Sequence, residues 1–269
     1  MKILLMKRKT SPGLYAPQYS SDHYRHDDFR MLGELLDEGR FHPYFQEWLQ
    51  NPDYGITITD SFIYVEKING RVKVYFPDPE DGKLIDPIPY DPFYEWASRL
   101  VQLSADFYEM ADTIASNEIA IMYDNGQYYL KPIFLRSIAF RRMIRKEFED
   151  DNEYDIQGFN ETSKIGALGR FFTTMPNFDY IKEWLKSSEK EIPIVIGKLL
   201  KQDNKITIIY DKQERRFYTT QVPLSVFSKI IEYYEQFSSQ KLDAFLLIEE
   251  PEHYSFMINP HEEIKIPIS

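Results

Sequence analysis

The chain has 269 residues and a formal net charge of −11, with 43% hydrophobic residues, 16% aromatic residues and no cysteine. The hydrophobic fraction suffices for a core and argues against a disordered chain, while the missing cysteines exclude disulfides, thiol nucleophiles and cysteine-ligated metals. The negative charge disfavours nucleic acid as a partner and favours a basic protein.

The start of the chain carries no recognisable targeting signal. Its apolar run, Ile3–Met6, is too short for the core of a signal peptide. No window approaches the roughly 18 uninterrupted apolar residues of a membrane span. We therefore expect a cytoplasmic protein without a membrane partner.

The first elements in chain order are a strand and two helices. Residues Lys2–Met6 are typical of a short strand. Apolar spacing predicts helices over residues 22–37 and 43–50. The face that the second helix would bury consists of Phe45, Trp48 and Leu49.

A β-hairpin is predicted where Ser61–Ile68 and Arg71–Phe76 flank Asn69-Gly70. Asn-Gly tolerates the positive φ angles of a two-residue turn. Val72 and Val74 would face one side of the hairpin, and Lys73 and Tyr75 the other. An acidic loop follows, and Asp91-Pro92 opens a long helix.

The same order, two strands and then a helix, recurs along the chain. A second hairpin turns at Asp124-Asn125-Gly126, and a helix to about Phe148 is predicted after it. A third hairpin over 205–220 precedes a helix over 223–237. The last strands are predicted over residues 244–249, 254–259 and 263–266.

This order predicts an α+β fold made of antiparallel β-hairpins, each followed by an amphipathic helix, with two similar sheet-plus-helix halves as one arrangement. Asp150–Ser163 is polar, acidic and without periodicity. It places a boundary between an N-terminal domain, residues 1–150, and a C-terminal domain, residues 151–269; one single domain is the alternative. Trp48, Trp96 and Trp184 lie on apolar stripes, which predicts core positions.

A histidine cluster is the one candidate metal site. His23 and His26 are three residues apart, so a helix would place them on one face, with Asp27 beside them. Imidazole and carboxylate groups are ligands for zinc and similar ions. The H-E-x-x-H arrangement of metallohydrolases is absent, and a solvated helix start explains the same residues. No cofactor is predicted.

Two further surfaces are candidates for binding. The acidic loop supplies Asp78, Glu80, Asp81 and Asp86, and the first hairpin supplies Tyr64 and Tyr75. The helix predicted after the second hairpin would carry a basic patch on one face, opposite Ala139, Phe140, Met143 and Ile144. That patch consists of Arg141, Arg142, Arg145 and Lys146. It would grip phosphate or an acidic partner, or pair with the protein's own acids.

In length and acidic composition, without a catalytic motif, the chain resembles bacterial immunity proteins that neutralise toxins. The resemblance implies a non-enzymatic protein that masks a basic protein, such as a nuclease toxin. The alternatives are a metal-dependent enzyme that uses the histidine cluster, and a subunit of a larger assembly that pairs exposed sheet edges with a partner. The sequence predicts no oligomeric state.

Overall fold

A computed structural model describes residues 1–8, 15–17, 43–58, 63–76, 83–84, 88–91, 93–95, 97–99, 101–102, 116–142, 154–157, 164–175, 177–195, 197–210 and 218–268. They form an α+β structure with antiparallel sheets, which confirms the predicted class. The chain divides into two compact units. The first contains the described residues of 1–7 and 116–268, and the second those of 8–17 and 43–102. Among the described helices, none has the length and hydropathy needed to cross a bilayer.

Eighteen strands and four helices have defined bounds in this part of the chain. The strands are β1 Lys2–Arg8, β2 Tyr15–Pro17, β3 Ile56–Ile58, β4 Ile63–Ile68, β5 Arg71–Phe76, β6 Lys83–Leu84, β7 Ile88–Pro89, β8 Glu118–Asp124, β9 Gln127–Ile133, β10 Arg136–Arg142, β11 Tyr154–Gln157, β12 Glu191–Ile194, β13 Gly197–Gln202, β14 Lys205–Tyr210, β15 Tyr218–Pro223, β16 Ala244–Glu249, β17 His253–Asn259 and β18 Glu262–Pro267. The helices are α1 Pro43–Gln50, α2 Lys164–Thr174, α3 Asp179–Lys186 and α4 Leu224–Ser239. The described residues between 90 and 102 are also helical.

The first unit is built around the five-stranded sheet β11-β10-β16-β17-β18, which is buried on both faces. Alternate residues of β16 point to opposite sides, so Phe245 enters the core formed with α2 and α4. Leu246 instead packs against Leu5 and Met122 of the sheet β1-β8-β9. The helices α2, α3 and α4 lie between the central sheet and the sheet β12-β13-β14-β15. This unit therefore has four layers in the order sheet β1-β8-β9, central sheet, helices and sheet β12-β13-β14-β15.

The second unit packs one face of a small sheet against helices. Its strands follow the order β3-β4-β5, and β6 and β7 both pair with β5. Trp48 of α1 is fully buried between the rings of Phe45 and Phe93, whose centroids lie 6.2 and 6.3 Å away. Val65 and Val74 supply the inner face of the sheet. The prediction that Trp48 belongs to the core is confirmed, as it is for Trp184, which is 3% exposed; Trp96 lies outside the residues with described side chains.

Both predicted Asn-Gly turns are present. Asn69 and Gly70 have φ angles of 51° and 72°, and Asn125 and Gly126 have φ angles of 48° and 80°. These positive values belong to the two-residue turns that match the twist of antiparallel strands. The hairpins β4–β5 and β8–β9 are therefore confirmed, as are the last three strands and α4.

The helix predicted after the second hairpin is wrong over residues 136–142, which form β10. Ile138 and Phe140 face the helices while Ala139 faces the neighbouring sheet. A strand buried on both faces has a continuous apolar run, and a short run of this kind has no periodicity that separates strand from helix. The strand–strand–helix order thus fails at its second occurrence, and the described residues form four sheets rather than two.

The sequence-derived boundary at residue 150 falls between two strands that are hydrogen-bonded neighbours. In β10 and β11, Phe140 pairs with Ile156 and Arg142 pairs with Tyr154. Both strands belong to the first compact unit.

Candidate functional site

Two tyrosines and a glutamate form a cluster on the outer face of the small sheet in the second unit. The rings of Tyr64 and Tyr75 are 5.6 Å apart between centroids. The Tyr64 hydroxyl donates to Oε2 of Glu66 at 3.2 Å, and the Tyr75 hydroxyl donates to Oε1 at 3.0 Å. One carboxylate therefore accepts a hydrogen bond from each tyrosine, and we call these three residues the tyrosine cluster.

The strand register of β4 and β5 creates this arrangement. Tyr64 lies directly opposite Tyr75, and Glu66 lies opposite Lys73. Because side chains alternate along a strand, the neighbouring valines face the core while these residues face outward, where they are partly exposed. Among the described residues, Glu66 forms no ion pair, so its charge is balanced only by the two hydroxyl donors.

Gly55 lies directly against the end of Tyr64. A Cβ atom at this position would collide with the Tyr64 hydroxyl and ring. The absence of a side chain at position 55 is therefore what allows Tyr64 to reach Glu66.

The carboxylate also changes the acidity of both phenols. The pKa of Tyr64 is raised by burial, and further by the charge and hydrogen bond of Glu66. The pKa of Tyr75 is raised chiefly by its hydrogen bond to Glu66. Both hydroxyls thus stay protonated at neutral pH, which rules them out as general bases at that pH and suits hydrogen-bond donation.

Further tyrosines lie exposed in the same unit, although no sequence pattern distinguishes them from buried ones. Tyr44 is 57% exposed, Tyr54 is 50% exposed and Tyr94 is 40% exposed. Tyr54 is the neighbour of Gly55 and so lies next to the tyrosine cluster. The Tyr94 ring packs against Tyr90 at 5.9 Å, and the Lys67 ammonium lies 3.8 Å from the Tyr90 ring centroid. The count of 20 tyrosines was the available signal, but it does not separate exposed rings from buried ones.

The sequence-derived site residues have different outcomes. Tyr64 and Tyr75 are brought together. The acidic loop residues Asp78, Glu80, Asp81 and Asp86 lie outside the described residues, as do His23, His26 and Asp27 of the histidine cluster. Within the described part of the chain, no group of three or more His, Asp or Glu residues is arranged to hold a metal ion.

The basic patch is corrected for the two residues that can be placed. Arg141 and Arg142 are consecutive in β10, so their side chains leave opposite faces of the sheet and cannot form one helical face. An Arg142 Nη1–H donates to the carbonyl of Lys241 at 3.4 Å. Arg145 and Lys146 lie outside the described residues.

Comparisons with known proteins give no assignment. No protein-family model, no curated protein and no solved structure shows a significant match to this chain.

Proposed function

We propose that this protein is a non-enzymatic binding protein that masks a basic protein partner, as an immunity protein masks its toxin. The observation that carries the proposal is the tyrosine cluster. Tyrosine is enriched at protein interfaces because its ring buries apolar area while its hydroxyl keeps a polar contact.

The cluster has the chemistry to receive a lysine or arginine side chain. Glu66 offers an anionic acceptor beside the hydroxyl groups of two aromatic rings. A cation placed there would gain a charge-assisted hydrogen bond and cation–π contact with the rings. The net charge of −11 supports the choice of a basic partner, since complementary charge accelerates association.

The test is capture by immobilised protein from a lysate of the encoding organism, at low and high salt. Wild type is compared with the double variant Tyr64→Ala/Tyr75→Ala and with Tyr180→Ala, a matched control that removes a 52% exposed tyrosine from α3. We expect one basic protein that wild type and the control retain, held less tightly at high salt. Loss of Tyr64 and Tyr75 together should weaken binding by at least about tenfold.

Gly55→Ala gives a second arm, because the added methyl group displaces Tyr64 without removing it. The same partner should be lost from this variant while circular dichroism shows a folded protein. Capture that is equal in all variants, or no captured protein at either salt, would refute the proposal.

A third arm addresses the acidic loop. Charge reversal at Asp78, Glu80 and Asp81 should slow association with the captured partner and leave dissociation nearly unchanged, because long-range charge acts mainly on the encounter rate. An unchanged association rate would remove this loop, and Asp86 with it, from the proposed surface.

The two alternatives drawn from the sequence stay predictions. Metal analysis of protein purified without chelators tests the enzyme that would use His23, His26 and Asp27. Sedimentation at high concentration tests the assembly subunit.

A further inference from the structure

A cleft of about 500 Å³ opens in the first unit, where three helix ends meet. It lies at the last turns of α2 and α4 and at the start of α3. Aromatic side chains line its apolar part, namely Tyr154, Phe172, Phe178 and Tyr234. The remaining lining is mostly polar and includes Asn177, Asp179 and Glu235. An aromatic floor with a few polar groups is the usual composition of a small-molecule site.

Tyr234 is the residue that points to a ligand. Its side chain is buried to 6% exposure, and its ring packs against Phe172 at 4.9 Å and Phe140 at 5.2 Å. Tyr234 lines the cleft, and no described residue forms a hydrogen bond with its hydroxyl. The hydroxyl is not one of the fully buried unpaired atoms of the described residues, so it reaches the open space of the cleft, where a bound molecule can replace water as its partner.

The neighbouring Tyr154 shows the ordinary arrangement. Its hydroxyl donates to the carbonyl of Leu242 at 2.7 Å and lies 3.5 Å from that of Phe237. The two tyrosine rings are 6.1 Å apart, so they share one aromatic environment. The difference between them leaves the Tyr234 hydroxyl as the polar group that a molecule in the cleft would meet.

The charge around the cleft is negative. Glu235 and Asp179 share one cation, since Lys182 Nζ lies 2.6 Å from Glu235 and 3.5 Å from Asp179. Both α2 and α4 end at the cleft, and neither has a basic residue in its last turn. The C-termini of α2 and α4 carry partial negative charge and the N-terminus of α3 carries partial positive charge, so the three helix ends together add a net negative contribution to the uncompensated carboxylate. Near Tyr154, the positive charge of Arg142 lowers the pKa of that tyrosine and the negative charge of Asp243 raises it, so the two charges oppose each other.

We propose that this cleft binds a small organic cation, an ammonium group attached to a flat apolar body. The apolar body would lie against the exposed edges of Phe178 and Tyr234, and the ammonium group would donate to the Tyr234 hydroxyl and face Asp179 and Glu235. The site belongs to the first unit and does not depend on the proposed partner of the tyrosine cluster.

The experiment uses three probes of the same shape on the full chain: phenethylamine as the cation, 2-phenylethanol as the neutral form and phenylacetate as the anion. Saturation-transfer NMR and calorimetric titration at neutral pH measure their binding. For a probe of this size we expect a dissociation constant of about 1 mM or below for the amine. The alcohol and the carboxylate should bind at least about tenfold more weakly.

Two variants test the assigned groups. Tyr234→Phe removes only the unpaired hydroxyl, and Asp179→Asn removes an exposed charge, so both should stay folded; thermal unfolding verifies this. Each should weaken amine binding by about threefold to tenfold, since one hydrogen bond or one charge contact is lost. The matched controls are Tyr233→Phe, outside the cleft lining, and Asp203→Asn in the β13–β14 turn.

The proposal is supported if the amine binds saturably, is preferred over both other probes, and is weakened only by the two cleft variants. It is overturned if no probe saturates, if the alcohol or carboxylate binds as well as the amine, or if the cleft variants bind like the controls.

Discussion

Tyr64 and Tyr75 of the second unit and Tyr154 and Tyr234 of the first unit all have raised pKa values, but only in the first pair does a hydrogen bond to a carboxylate contribute to the rise. In the second unit, Tyr64 and Tyr75 lie on a partly exposed sheet face and share the carboxylate of Glu66. In the first unit, Tyr154 and Tyr234 lie in an aromatic core, and burial is the main cause of their raised pKa values. One residue type thus supplies a candidate contact surface in the second unit and, in the first unit, aromatic packing that also lines the proposed cleft. The partner of each hydroxyl, rather than the residue type, distinguishes the tyrosines of the two units.

The largest difference should appear when whole side chains are removed. Tyr154 is 2% exposed and contacts the Phe245 ring at 5.1 Å. Tyr154→Ala should lower the free energy of unfolding by about 3–5 kcal/mol, because it leaves a cavity between β11 and α4. Tyr64→Ala should cost about 1 kcal/mol or less, as for a partly exposed cross-strand pair. Urea unfolding measures both losses of free energy, and equal losses would contradict the proposed difference between the two tyrosines.

A second effect should appear in the stability of the folded protein at alkaline pH. Burial raises the pKa of Tyr154 from 10.0 to about 12 and also raises the pKa values of Tyr210, Tyr234 and Tyr254. Above pH 10 the unfolded chain releases these protons while the folded protein retains them, so rising pH favours unfolding. The stability that these groups provide is present below pH 10 and is lost as pH rises toward 12. Urea unfolding at a series of pH values measures this, and a flat profile would argue against buried tyrosines.

The sequence predicted the hairpins whose turns have a recognisable local chemistry. Asn69-Gly70 and Asn125-Gly126 mark their hairpins because both residues accept positive φ. The hairpin β13–β14 was missed, since its turn uses Asp203-Asn204 without glycine, at φ angles of 52° and 59°. Its neighbour β12 contains Pro193, which is tolerated in a strand at the end of the sheet order.

The candidate sites were predicted only where they depend on one local pattern. Strand alternation places Tyr75 on the outer face, but the shared acceptor Glu66 emerges only from the register between β4 and β5. The cleft combines residues from positions 154, 172–179 and 234–239. No periodicity connects segments so far apart, because their contact depends on how α2 and α4 pack.

A smaller effect should separate the two buried tyrosines of the first unit. Tyr154→Phe should lower the free energy of unfolding by about 1–2 kcal/mol, because the Leu242 carbonyl loses a donor at a buried position. Tyr234→Phe should be neutral or slightly stabilising, since its hydroxyl has no partner among the described residues. Chemical denaturation of the two variants provides the measurement. A large cost for Tyr234→Phe would mean that its hydroxyl is paired in the folded protein.

The smallest effect concerns Glu66 itself. Glu66→Gln removes the charge that helps to raise the pKa values of Tyr64 and Tyr75, so both should titrate closer to 10.0 while Tyr154 stays unchanged. The glutamine carbonyl still accepts one hydroxyl, but the two phenols no longer share an anion. Tyrosine-ring NMR signals followed with pH give the individual values, and Glu47→Gln on the exposed side of α1 is the matched control. Unchanged titration of Tyr64 and Tyr75 would show that Glu66 does not hold the cluster together, and a cation would then find no anionic centre beside the two hydroxyls.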